Sequence, residues 1–341
     1  MKKPKEKKRS GVKKALITIG ILLLVLLLIA GAGLYVVNRY MDRINRVDPN
    51  EEPEVLPESE TFETDESTTE STAPPLDPSE VEWEKEETVT FDDSGLLNIL
   101  LVGQDRREGQ GRQRSDTMIL CSINTKTNEV SMISFLRDLY VQIPGGYSPN
   151  RLNASYAFGG FPLLNKTMNQ NFGVTIDGNI EVDFEGFTTV IDQVGGVDIT
   201  LTKKEAAYLR LNDGKAGTVH LNGYQALEYA RIRKLDSDFG RTQRQRNVLM
   251  AVFSKVRAMS VGEIKALVDT ILPTLTTDMS NTELLSLVTQ LAPMLAGMEI
   301  HTYRVPANDA YRYASIRGMS VLVPDLNKIR TDLRDEYLPF D

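Results

Sequence analysis

The sequence predicts an α/β fold: a three-layer domain with a mixed central β-sheet flanked by helices, preceded by a single N-terminal transmembrane helix and a disordered tether. Three observations predict it. From about residue 95 onward, short apolar runs of strand length alternate with amphipathic stretches of helical spacing. Residues 15–37 make up 23 positions without a charge. Residues 48–93 hold eighteen Asp and Glu against one Lys, too little apolar surface to offset the entropy of ordering.

The uncharged run, "ALITIGILLLVLLLIAGAGLYVV", would measure about 34 Å as a helix, against a hydrocarbon core of about 30 Å. A cleaved signal peptide is the competing reading. The run exceeds a typical signal core, and "VVNRYMDR" is no small-residue cleavage site, so a retained anchor is expected. Residues 1–14 carry net charge +7 and should remain cytoplasmic by the positive-inside rule. Everything beyond residue 40 then lies outside the cell, which argues against ATP-driven or DNA-directed work. The acidic segment reads as an extended spacer, with an acidic recognition tail as the alternative. The expected division is a basic segment at 1–14, the membrane helix at 15–37, the linker at 38–94 and an extracellular domain at 95–341. Trp83, the single Trp, is expected to pack on the start of that domain.

Within the domain, "LLNILLV" is a nearly continuous apolar run, as in a strand covered on both faces. "TMILCSIN" and "EVSMISF", separated by the turn-like "TKTN", extend it as a hairpin. "DFEGFTTVIDQVGG" reads as an amphipathic helix ending on glycines, with "VDITL" a strand directly after it. "NGYQALEYARIR" has an Asn cap and helical spacing of Tyr224, Leu227 and Ala230, and "RTQRQRNVLMAVFSKVRAM" is a longer helix. Further helices are expected near 262–272, 281–295 and 324–336, and "MEIHTYRV" as a late strand.

Residues 94–341 carry 27 charges of each sign, yet the arginines gather where predicted elements hand over to loops. Asp105 and Asp116 bracket Arg114; "SFLRD" holds Arg137 and Asp138; "ARIRK" holds Arg231 and Arg233; "DSDFGRTQRQR" holds Asp238 and Arg241. Each cluster alone is explained by surface ion pairs. Together they point to an anionic ligand, because guanidinium groups match phosphate oxygens bidentately. Two aspartates on one loop suit a hard divalent cation, which completes its shell with water and substrate phosphate. No Walker sequence is present, and the single Cys (Cys121) and two His (His220, His301) exclude a disulfide framework and poly-His or multi-thiolate metal sites. A neutral extracellular domain does not suggest nucleic acid as partner.

The blocks "NILLVGQDRREGQGRQRSDTMILCSINTKTNEVSMISFLRD", "RLNASYAFGG", "VDFEGFTTVIDQVGGVDI", "LNGYQALEYARIRK" and "DSDFGRTQRQRNVL", in this order over roughly residues 96–260, resemble the LytR–CpsA–Psr family. The resemblance implies transfer of an anionic glycopolymer, of teichoic acid or capsular polysaccharide type, from a polyprenyl-phosphate carrier to peptidoglycan, forming a phosphodiester. It implies a place on the cell membrane of a Gram-positive-type envelope. It implies Asp105 and Asp116 as ligands of Mg2+ (or Mn2+), and Arg114, Arg137, Arg231 and Arg233 as a pyrophosphate clamp. Asp238 and Arg241 become further active-site members, and Asn153 falls in a motif near the same pocket. Where the family more often has Ile-Pro before Arg-Asp, this chain reads Phe135-Leu136.

A lipid carrier also needs an apolar slot, for which Phe184, Phe187, Val190, Ile191, Val252, Phe253, Leu267 and Leu287 are candidates; ordinary core is the alternative for each. Two other functions compete with transfer: a non-catalytic wall-binding or regulatory module using the same arginines, and a polyprenyl-pyrophosphate hydrolase with water as acceptor. Residues 300–341, including "YRYASIRGMSVLVPD", lie outside the matching blocks and receive no role.

Overall fold

The structure, a computed structural model, describes residues 38–47, 73–83, 89, 91–104, 112–236, 238–295 and 297–340. The expected membrane helix at 15–37 and Asp105 lie outside the described residues. No described helix is long and apolar enough to cross a membrane. The chain divides into two units, residues 1–43 and 44–341. Of the first, only 38–43 are described, a helical turn over 38–41.

The second unit is built on a seven-stranded sheet. In chain order the strands of the unit are β1 (Asn45–Arg46), β2 (Leu97–Gln104), β3 (Ser115–Asn124), β4 (Glu129–Phe135), β5 (Tyr140–Val141), β6 (Asn150–Arg151), β7 (Gly178–Val182), β8 (Val197–Leu201), β9 (Gly217–Leu221), β10 (Leu275–Thr277), β11 (Glu299–Val305), β12 (Tyr311–Ile316) and β13 (Met319–Pro324). The helices are α1 (Leu152–Phe172), α2 (Phe184–Gln193), α3 (Lys203–Leu209), α4 (Gly223–Ala230), α5 (Asp238–Arg257), α6 (Val261–Ile271), α7 (Asn281–Leu291) and α8 (Leu326–Asp332). The sheet runs β1-β10-β7-β2-β3-β4-β11. Its centre is the antiparallel meander β2-β3-β4, while β7 joins β2, and β11 joins β4, in parallel.

Alternation along the strands feeds two layers. Leu100, Leu120 and Ile133, all fully buried, face α1 and α8 in one core. Ile119, Ile123, Val130 and Met132 face Leu249, Phe253 and Leu291 of α5 and α7 in the other. Each such side chain contributes about 1.5–3 kcal/mol. Cys121 sits in the second layer, where burial pushes its thiol up to about 12. The mixed sheet between helices matches the expected class, with one difference. "VDITL" is a strand, but β8 pairs with β9 in a separate hairpin, and its burial alternates strictly along the strand. A strand with one wet face does not belong inside a helix-covered sheet.

One further segment departs from expectation. Residues 73–83, assigned to the tether, are folded: Pro75 bridges Ser315, Val81 is buried, and Trp83 stacks on Tyr140 at 5.9 Å. The block "RLNASYAFGG" opens α1, which is kinked at Gly159 and Gly160. Pro162 has no N–H for the Phe158 carbonyl. Arg112 supplies it instead, donating to the Ala157 and Phe158 carbonyls at 3.1 and 3.2 Å.

Candidate active site

β2, β4, β7 and β11 end at the same edge of the sheet as the start of β3. Ligands of open α/β sheets bind at such carboxyl edges. A register shift between Gly103 and Gln104 marks a bulge where the chain leaves β2, of the kind that re-aims side chains beside a site.

Four elements deliver charge to this edge. Asp116 stands at the start of β3, and Arg137 and Asp138 follow β4 directly. α4 starts on an Asn222–Gln225 capping box and ends at Ala230. Ile232 then buries itself (1% exposed) between Arg231 and Arg233, so both arginines line the same cavity. Arg244 of α5 fixes that loop by donating to the Ile232 carbonyl and to both oxygens of Asp236, each within 2.7–2.8 Å. Asp238 and Arg241 occupy the first turn of α5.

The charges form one continuous network. Arg137 bridges two acids, with Nη1 2.7 Å from Asp116 Oδ1 and Nε 3.3 Å from Asp238 Oδ2. Arg233 Nη2 is 3.0 Å from the other oxygen of Asp116. Arg241 Nη2 lies 3.2 Å from Asp238 Oδ2. Arg241 is 3% exposed, and among the described residues its Nε and Nη1 have no hydrogen-bond partner. A buried guanidinium with two idle donor nitrogens calls for an acceptor.

Electrostatics set the protonation states. Burial works to raise the Asp116 carboxyl, but Arg137, Arg241 and Arg233 outweigh it and hold the group below its ordinary value. Burial and a hydrogen bond shared with Asp238 push Asp138 up to about 7. Burial also opposes ionisation of Asp238, but the hydrogen bond from Asp138, with Arg241 and Arg137, keeps its carboxyl well below the usual range. Arg137, despite burial, is held firmly charged by Asp138, Asp116 and Asp238. Arg241 is the reverse case: burial and the Arg137 charge weaken its hold on its proton.

Beside the network opens a cavity of about 240 Å³. Asp116, Arg231, Arg233 and Arg241 stand with Phe184, Phe187, Val190, Ile191 and Val252 in its lining. Arg231 lies over the Phe184 ring at 4.3 Å. Phe253 does not line it. One step further round α5 from Val252, it packs among Met132, Met294 and Ile300 in the sheet's second layer. Leu267 belongs to the core between α2 and α6, and neither it nor Leu287 lines the cavity. Arg114, half-buried ahead of β3, also stands outside the lining. Asn153, 2% exposed, donates its backbone N–H to the Arg137 carbonyl at 3.3 Å. The sequence places Asp138 in the "SFLRD" cluster beside Arg137 without assigning it a role, and gives no signal for Arg244 or Arg112.

Asp116 fits a magnesium-type cation as one ionised hard oxygen donor in the lining of an arginine-bearing cavity, the sparse protein contribution such ions take. Each of its oxygens already accepts from an arginine, and a carboxylate oxygen has room for a second partner. Among the described residues, three metal-ligating side chains come together only at Glu129, Glu299 and His301, at the opposite ends of β4 and β11.

A model of the LytR_cpsA_psr family matches residues 61–334. The polyisoprenyl-teichoic acid–peptidoglycan teichoic acid transferase TagU of Bacillus mycoides is 39% identical over 176 residues, 51% of this chain and 57% of that protein. TagU of Oceanobacillus iheyensis is 35% identical over 247 residues, 69% of this chain and 76% of that protein. The chain thus spans little more than half the length of the Bacillus relative. A solved structure of TagT bound to LI-WTA superposes with a TM-score of 0.58 at 26% identity, over 74% of this chain and 94% of that one.

Proposed function

Since the chain belongs to the LytR_cpsA_psr family, we propose that it is a phosphotransferase moving an anionic glycopolymer from a polyprenyl-pyrophosphate carrier to peptidoglycan. The observation that carries this reading is Arg241: a buried guanidinium lining the cavity with two unpartnered nitrogens. Arg231 and Arg233 line the same cavity, and Arg137 stands behind them through Asp116. TagU in two relatives carries the name of a teichoic acid transferase, and TagT has been solved with LI-WTA bound. The glycopolymer class assigned here is therefore the teichoic acid type.

In the proposed reaction an acceptor sugar hydroxyl attacks the phosphorus that bears the glycopolymer. A new P–O bond to the acceptor forms, the P–O bond to the lipid phosphate breaks, and the hydroxyl proton ends on the departing phosphate. Such transfers need positioning and charge stabilisation more than covalent chemistry. Arg231, Arg233 and Arg241 bind the phosphate oxygens; the apolar wall of Phe187, Val190, Ile191 and Val252 takes the prenyl chain. Asp238 and Asp116 position the arginines. A carboxyl held as low as that of Asp238 is a weak proton acceptor, so its part is to orient Arg137 and Arg241 rather than to act as base. Asp116, with Asp105, would hold Mg2+ (or Mn2+), which would offset phosphate charge. The domain works outside the membrane, anchored through residues 15–37.

The test is incubation of the protein with a polyprenyl-pyrophosphate glycan, peptidoglycan oligomers and Mg2+, followed by mass spectrometry. A phosphodiester-linked product is expected. Release of lipid or inorganic phosphate with no linked product would replace transfer with hydrolysis, and binding unaffected by chelator without turnover would replace it with a non-catalytic binder.

A further inference from the structure

Next to the arginine network, outside the cavity lining, lies a group of aromatic rings that the reaction above does not use. The run Tyr311-Arg312-Tyr313 is extended in β12, so its two tyrosines share a face. Their rings meet edge to face at 5.3 Å, and Phe239 packs on Tyr311 at 5.4 Å. Tyr313 is 49% exposed. Arg304 lies over the Phe239 ring, 4.2 Å from its centre.

Three links fix this group to the charged edge. Phe239 follows Asp238 in the first turn of α5. Tyr313 stands opposite Leu322 in the β12–β13 hairpin, and the Leu322 amide donates to the Asp138 carbonyl at 2.9 Å. Arg151 donates to the Ser320 carbonyl at 2.8 Å and reaches Asp138 at 3.4 Å. Asp116, Arg233 and Arg241 face the cavity, whereas Asp238, Phe239 and the two tyrosines do not line it. Arg137, paired with both Asp116 and Asp238, links the two groups.

Isolated exposed aromatics need no explanation. A joined group of rings with hydroxyls at its rim, bolted to a reaction centre, is different. The C–H face of a pyranose is apolar and slightly positive, and suits the negative face of an aromatic ring, while its hydroxyls find partners at the rim. A sugar held on rings that adjoin Asp238 would stand beside Arg137 and Arg241 without occupying the apolar wall that the prenyl chain needs.

We propose that this aromatic face is the subsite for the acceptor glycan, stacking a pyranose ring so that its neighbouring hydroxyl is presented across Arg137. The assignment rests on the transferase reading for its role, and its test is separable from that reading. The probe is an oligomer of four N-acetylglucosamine units, which carries neither phosphate nor lipid, titrated into full-length protein in detergent. Binding is followed by saturation-transfer NMR.

Wild-type protein should transfer saturation to the ring C–H protons. Tyr313→Ala should weaken binding about tenfold or more, and Tyr313→Phe, which keeps the ring, should stay within about threefold. Thermal unfolding verifies the fold of each variant, and Tyr313→Gln supplies a second ring-free variant should Tyr313→Ala unfold. In transfer assays, ring loss should raise the acceptor KM and leave the donor KM in place. Three results would overturn the proposal: no binding by wild type, wild-type binding by folded ring-free variants, or displacement of the oligomer by a prenyl-pyrophosphoryl disaccharide. The last would assign the rings to the donor's own sugar. Oligomer binding that depends on Tyr313, found without any linked product, would overturn the transfer reading and leave a glycan-binding site.

Discussion

Arg241→Met separates binding from folding at this site. The side chain is 3% exposed, spends Nη2 on Asp238 at 3.2 Å, and leaves Nε and Nη1 without partners. If those two nitrogens serve a pyrophosphate, the variant loses two charge-assisted hydrogen bonds, each about 1.5–3 kcal/mol. At about 1.4 kcal/mol per decade, the low end of that range is roughly a hundredfold in Kd. Folding should respond differently. Burial and the neighbouring Arg137 already disfavour the Arg241 charge. Asp238 also keeps Arg137 at 3.3 Å and its hydrogen bond with Asp138. An apolar chain of similar length in place of a buried, incompletely paired cation is often neutral or stabilising. Calorimetric titration with a short-chain prenyl pyrophosphate should therefore show the loss, with the unfolding midpoint unchanged or raised. Wild-type affinity, or a midpoint lowered by many degrees, would refute the reasoning.

Other expectations follow from the same geometry. Arg233→Ala removes one partner of Asp116 at a half-exposed position, so transfer should fall by about tenfold or more while Tm moves little; unchanged turnover would remove Arg233 from the clamp. Val190→Asp places a carboxylate in the apolar wall and should weaken a long prenyl pyrophosphate about tenfold or more while sparing inorganic pyrophosphate; equal loss of both would mean general damage. Asp138 has its folded value raised from 3.8 to about 7, so its contribution to stability is complete below about pH 4 and is lost as pH rises through 7. Asp138→Asn should flatten that decline in a pH series of unfolding midpoints, and an unaltered series would show that Asp138 does not titrate there.

The central strands were legible because apolar runs of strand length tolerate few other readings: Leu100, Leu120 and Ile133 are fully buried on one face while Ile119 and Met132 fill the other. α1 was not legible, since Gly159, Gly160 and Pro162 argue against a helix locally and tertiary support from Arg112 overrides them. β8 was read as a strand, but its two-residue alternation, Val197, Ile199 and Leu201 inward, signalled a one-sided hairpin. At the site, the arginines could be picked out from their positions at element ends. Which of them would be left with idle nitrogens could not, because Arg137 and Arg233 spend theirs on Asp116, brought near from 21 and 117 residues away. The raising of the Asp138 carboxyl by burial and by Asp238 is likewise a property of the fold rather than of the local sequence. In α5, Val252 faces the cavity and Phe253 the sheet, a difference of one residue that periodicity alone did not resolve.

The chemical claim at the centre is that the acceptor oxygen attacks phosphorus rather than the sugar carbon. The lipid left behind decides it. Mass analysis of the lipid fraction after turnover should find polyprenyl monophosphate, formed one for one with the linked glycan. Polyprenyl pyrophosphate in that fraction would mean that the bond broken lies between sugar carbon and oxygen, and would contradict phosphoryl transfer at this arginine-lined edge.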